Sequence, residues 1–130
     1  MATFVVDGGL DITTNRVAGL GTEPKFIGWG TGAGTTARTD TTLFTEALVS
    51  LAAGTTDHTT GTSSRITTTT TNDSYRVTGT RTATGAGTVT NAGLWDASSG
   101  GNLFLKGDFT GIGLAINDSI AFTITAVYDN

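Results

Sequence analysis

The sequence predicts an all-β fold, an antiparallel β-sandwich or barrel of jelly-roll type with at most one or two short helices. Three observations carry that expectation. Apolar residues recur with period two near the C-terminus, where Ile120, Phe122, Ile124, Ala126 and Tyr128 alternate with Ala121, Thr123, Thr125 and Val127. Threonine takes nearly a quarter of the chain, 30 of 130 residues, and its β-branch suits a pleated surface. Nineteen glycines cut the chain into short segments. A length of 130 residues fits one domain. Such a chain buries about 68% of its unfolded surface, enough for a core without cross-links. There is no cysteine, so packing, hydrogen bonds or oligomerisation must hold the fold.

Taken in order, residues 1–24 read as an N-terminal arm or extended segment ahead of a β-sandwich domain at 25–130. A short helix with Leu10, Thr14 and Val17 on one side, ending before Gly19, fits this stretch equally well. Pro24, the only proline, biases Glu23 to extended backbone and marks entry into the domain. The glycine-rich run Gly28–Thr36 reads as a tight turn or a place of close chain contact. In 40–54 the residues Leu43, Phe44, Ala47, Leu48 and Leu51 follow helical spacing, with Asp40 able to cap the start and Gly54 the end. Residues 54–64 are small and polar and predict an exposed loop carrying His58.

Arg65-Ile66 and the five threonines after it predict a strand, paired with 75–84 through a turn at Asn72-Asp73-Ser74. In 75–84 one face reads Tyr75, Val77, Gly79, Arg81, Ala83 and the other is arginine and threonine, a half-buried strand. Val89–Trp95 and Leu103–Phe109 are further strands, separated by Ser98–Asn102. Asn117-Asp118 turns the chain into the last strand. The series reads as an antiparallel meander or Greek key.

Chemistry-bearing residues are scarce: one histidine, two lysines and two glutamates. Seven basic residues are outnumbered by eleven acids, with a net charge of −4. A nucleic-acid surface needs a basic patch, so nucleic acid is not an expected partner. No run approaches the ~20 apolar residues of a membrane span, and no membrane partner is expected. The N-terminus lacks the basic region of a signal peptide, so synthesis and folding in a cytoplasm are expected.

Motif scanning yields no catalytic, cofactor or metal site. Gly28-Trp29-Gly30-Thr31-Gly32 lacks the lysine of a phosphate loop and the third glycine of a dinucleotide fingerprint. His58 follows Asp57, which could orient it, but no nucleophile elbow accompanies it. Its plain reading is a solvated loop residue; its sharp one is a metal ligand on the axis of a trimer. Asp7, Asp11 and Asp118 match no calcium loop. The sequons Asn72-Asp73-Ser74 and Asn117-Asp118-Ser119 read as turns. Trp29 and Trp95 read as core, with a partner-facing or glycan-stacking role as the alternative. The expectation is therefore a protein that is not an enzyme.

Two stretches carry a resemblance. The first is Pro24–Gly32, including Gly28-Trp29-Gly30-Thr31-Gly32, followed by Asp40-Thr41-Thr42-Leu43-Phe44-Thr45-Glu46. The second is Val89-Thr90-Asn91-Ala92-Gly93-Leu94-Trp95-Asp96-Ala97, continuing from Gly101 to Phe109. Together they cover about a quarter of the chain and resemble small tailed-bacteriophage virion proteins, among them capsid decoration (cement) proteins and parts of tail fibres and collars. The resemblance implies a β-sandwich or barrel module, commonly a homotrimer. On the capsid exterior it would stabilise the shell through non-covalent contacts with the major capsid protein and its own neighbouring copies. A tail component, whether fibre, collar or tube subunit, is the alternative.

Overall fold

A computed structural model describes residues 3–128. The chain is an antiparallel β-sandwich of two sheets with one helix, and the predicted fold class stands. The larger sheet holds β1 (Thr3–Val5), β2 (Phe26–Gly30), β3 (Glu46–Ala47), β4 (Thr59–Thr60), β7 (Gly87–Trp95) and β8 (Leu103–Leu114). Its order is β1-β8-β7-β2-β3, with β4 also paired to β2. The smaller sheet runs β5 (Thr62–Ile66), β6 (Ser74–Thr82), β9 (Ser119–Val127).

Period-two patterning places the core as expected. Val77 and Ala83 from the β6 segment, with Phe122 and Ala126 from β9, meet Ile27, Trp29, Ala92, Leu94 and Leu105 from the larger sheet. The β7–β8 register slips between Leu94 and Trp95, so Phe104 and Leu105 both join this intersheet core. The outer face of the larger sheet is also covered. Loop residue Leu43 packs there with Val6, Trp95 and Leu103, which explains why β2 and β7 are buried almost throughout.

Residues 3–17 lie on the body of their own chain. β1 pairs with β8, Phe4 opposite Lys106, and α1 (Asp7–Val17) follows. The helix alternative is the one formed, but its inward side is not the one predicted. Gly9 and Ile12 are buried, whereas Leu10 and Val17 are exposed. Gly9 sets this rotation: a Cβ there would meet the Phe104 carbonyl and Val5 Cγ1, so only glycine lets the helix approach β8 so closely.

No helix forms over 40–54. Thr45 and Leu51 have positive φ, 45° and 64°, which no α-helix accommodates. The apolar residues are buried one by one instead, Leu43 on the outer face and Ala47 in the intersheet core. The backbone finds partners in the sheet: Glu46 and Ala47 pair with Gly30 and Trp29, and Thr31 and Gly32 donate to the Thr45 and Phe44 carbonyls. Gly54 does not cap a helix but donates to the Glu46 carbonyl.

The threonine run is likewise corrected. The strand lies earlier, at Thr62–Ile66, and residues 67–73 form the connection to β6. Asp73 organises it by accepting from the backbone N–H groups of Thr68, Thr69 and Thr70. These bonds hold its carboxyl well below the ordinary value of 3.8. Asn72 and Asn117 occupy left-handed backbone, as turns at both sequons require.

Candidate functional site

The densest polar chemistry lies where β2, β3 and the 57–60 segment meet. Pairing of Glu46 with Gly30 in β3 turns the Glu46 side chain to the outer face. Pairing of Thr59 with Ile27 in β4 brings the preceding His58 beside it. His58 Nε2 lies 2.5 Å from Glu46 Oε1, and Nδ1 lies 2.8 Å from the Ala97 carbonyl. The imidazole stacks on Trp95, ring centroids 4.9 Å apart and planes 10° apart. Gly28 makes the room: a Cβ there would lie 2.9 Å from Trp95 Nε1, 3.1 Å from His58 Cδ2 and 3.2 Å from Glu46 Oε1.

The protonation logic is constrained. A carbonyl only accepts, so Nδ1 carries a proton. One further proton then lies between Nε2 and the carboxylate, giving a charge-assisted bond in a buried setting. The side chains of His58 and Glu46 are 1% and 4% exposed, so the expected solvated histidine is in fact a core histidine. Its position explains the difference. The His58 N–H donates to the Ser98 carbonyl and the Gly100 N–H to the Thr55 carbonyl, clasping two loops over the ring. With both nitrogens engaged inside the chain, His58 cannot serve a metal on a trimer axis. No group of three or more His, Cys, Asp or Glu side chains converges among the described residues.

Asp57 does not orient His58. Its Oδ1 takes Arg81 Nη2 at 2.5 Å, and Oδ2 accepts from the Val49 N–H. Arg81 enters from β6 on the inner face, donates to the Ala47 carbonyl and the Thr59 hydroxyl, and sits 4.8 Å over the Trp29 ring. Burial pulls its pKa down from the ordinary 12.5, and Asp57 opposes that shift. Consecutive residues Asp57, His58 and Thr59 thus tie β3 and β4 to both faces of the larger sheet.

A second polar group fixes the 31–45 loop. Buried Lys106 reaches Asp40 Oδ2 and the Thr42 carbonyl, both at 2.9 Å, and lies over the Phe44 ring. Buried Asn91 both accepts from the Phe44 N–H and donates to the Phe44 carbonyl. Asp108 accepts from the Thr36 N–H, and Thr90 donates to the Gly32 carbonyl. The Gly28–Gly34 run is therefore not a tight turn with positive φ. It is a strand and loop whose glycines admit close neighbours, Phe44 against Gly30, Gly32 and Gly34.

Both tryptophans are buried, which removes them as stacking platforms for a glycan. Sequence reading missed Glu46, Arg81, Lys106 and Asn91 as buried polar residues. The one available signal was a charge on an otherwise core-facing strand pattern, as at Arg81. The concave surfaces are modest. A cleft of about 480 Å³ between α1 and the β-body is lined by Ile12, Arg16, Glu23, Tyr75, Phe104 and Tyr128, among others. There the Tyr75 hydroxyl donates to Glu23 Oε1, and burial, then the Glu23 charge, raise its pKa above the ordinary 10. No protein-family model, no curated protein and no solved structure matches the chain.

Proposed function

We propose that the chain is a virion structural protein, a bacteriophage capsid decoration (cement) protein. In this reading it binds the outside of the shell and holds major capsid protein and neighbouring copies together by non-covalent contacts. The observation that carries the reading is the N-terminal helix. Its outward side presents Leu10 and Val17, with Leu20 just beyond, at 50%, 85% and 60% exposure. An apolar stripe of this kind on a rigid body marks a contact surface. The polar groups are compatible with the same role. Glu46, His58, Arg81 and Lys106 bond loops to the sheets, which makes a stiff surface for many modest contacts multiplied by valency. The sequence resemblance supplies the shell as the partner.

The test is to mix purified chain with shells assembled without it and follow co-sedimentation and the shell's thermal midpoint. The expected result is saturable binding and a raised midpoint, both weakened by Val17→Glu. Absence of binding to shells overturns the reading, and binding to isolated tails alone replaces it with a tail component.

A further inference from the structure

We infer that β9 is a self-association edge, where two copies pair antiparallel about a two-fold axis at Thr123. β9 is bonded to β6 on one side in unbroken register from Ser119 to Val127, and it ends its sheet on the other. No backbone hydrogen bond joins it to any other segment among the described residues. An open edge of this length is normally blunted by a charge, a proline, a bulge or shortness. The other edges follow that rule: β1 has three residues, β3 two, and β5 five with Arg65 among them. The stretch of β8 beyond β1 carries Asp108 and lies where the ladder is irregular. β9 has nine residues, no charge, no proline and no bulge. Such an edge is protected when another element covers it, and a strand does so by completing its hydrogen bonds.

A second copy fits that edge. Residues directly opposed in an antiparallel pair point to the same face. A two-fold at Thr123, the middle of β9, sets Phe122 against the partner copy's Ile124, Ile120 against Ala126, Ala121 against Thr125, and Thr123 against itself. Core-facing residues then meet core-facing residues over the whole strand, whereas a slip of one residue would set them against the solvent face. Beside the edge, a cleft of about 380 Å³ between β8 and β9, lined by Leu105, Phe109, Phe122 and Ile124, opens at the same junction. Copies with a net charge of −4 repel least along a strip without charge. The inference is independent of the virion reading, and its two-fold pair differs from the homotrimer that the resemblance implies.

The chain has no cysteine, so single cysteines report the axis directly. Directly opposed residues lie about 4.5–5.5 Å apart at Cα, within disulfide range. Thr123→Cys should therefore oxidise to a linked dimer. Ser119→Cys should not, because its opposite number is Val127. Light scattering should give twice 13.2 kDa for the unmodified chain. Thr123→Lys, on the exposed face, should return the mass to one copy by opposing two like charges, with circular dichroism and unfolding midpoint of the dilute protein unchanged. A monomer at the highest soluble concentration overturns the inference, as does a trimer indifferent to Thr123→Lys or equal linking by both cysteines. If such a monomer still binds shells, only the edge pairing falls; if a two-fold dimer binds none, only the virion reading falls.

Discussion

His58 is held by three different interactions at once: a carboxylate on Nε2, a carbonyl on Nδ1 and an indole against its face. Removing it leaves a buried carboxylate without its partner, and breaking a buried pair from one side costs about 3–5 kcal/mol. His58→Ala should therefore lower the unfolding free energy by that much, read as a lower urea midpoint at unchanged m-value. Replacing Glu46 and His58 together by leucine should recover a large share, because two apolar groups leave no unpaired charge. A double-mutant cycle reads the difference. Gly28 is constrained in the same place by steric contact. Its φ is not positive, so Gly28→Ala meets no backbone penalty, only the Trp95, His58 and Glu46 atoms around its missing Cβ. Overpacking of that kind costs about 1–3 kcal/mol, and chemical denaturation of the variant checks it.

The 31–45 loop is an element held by carboxylates rather than by apolar burial alone. The Ala37 N–H first, and then the Lys106 ammonium, hold the Asp40 carboxyl below its ordinary 3.8. The Thr36 N–H, donating to Asp108 Oδ1, likewise lowers the Asp108 carboxyl. A carboxyl with a depressed folded value contributes its full stability above the unfolded value, and the contribution is lost as pH falls through the folded value. The loop should thus stay docked at neutral pH and loosen only below about pH 4. The amide shifts of Thr36 and Ala37, followed by NMR on acidification, should move with midpoints below 3.8. Midpoints at or above that value would refute the clamp. Element boundaries were partly legible in sequence. β6 and β9 lie where alternation put them, because a strand with one buried face must alternate; β7 and β8 also form where strands were expected, although β7 is buried on both faces and β8 runs on to Leu114. The strand and turn at 62–74 were shifted by several residues, because threonine suits both strand and turn. Only the Asp73 carboxylate, gathering three consecutive N–H groups, decides between them.

At the scale of the whole molecule, ladders join distant segments: β1 to β8, β2 to β7 and β6 to β9. Such pairing must close long loops before it is rewarded, which places folding in the millisecond-to-second range typical of all-β domains. Stopped-flow refolding should show it. The N-terminal segment belongs to this body. Val6 is fully buried in the outer cluster, and its N–H donates to the Phe104 carbonyl. Deleting residues 1–6 should cost at least the roughly 1.5–3 kcal/mol of one buried aliphatic side chain, seen as a lower thermal midpoint of the truncated chain. An unchanged midpoint would mean that β1 adds nothing to the body.

The sequence by itself determined the β-class, the positions of the four long strands, the inward faces of β6 and β9, the turns at Asn72 and Asn117, and the burial of both tryptophans. Each of these rests on a local signal: period-two alternation, the tolerance of asparagine for left-handed backbone, or the size and apolar body of the indole. Tertiary structure alone decided the rest. Helical spacing in 40–54 gave way because the open edge of β2 and the side chains of Asn91 and Lys106 offered that backbone better partners than its own next turn. The inward side of α1 was chosen by Gly9 against the Phe104 carbonyl, not by Leu10 and Val17. His58 became a core residue because Glu46 lies opposite β2 and the 96–101 loop closes over it. Such contacts join residues far apart in the chain, and periodicity along a sequence carries no record of what lies across a sheet.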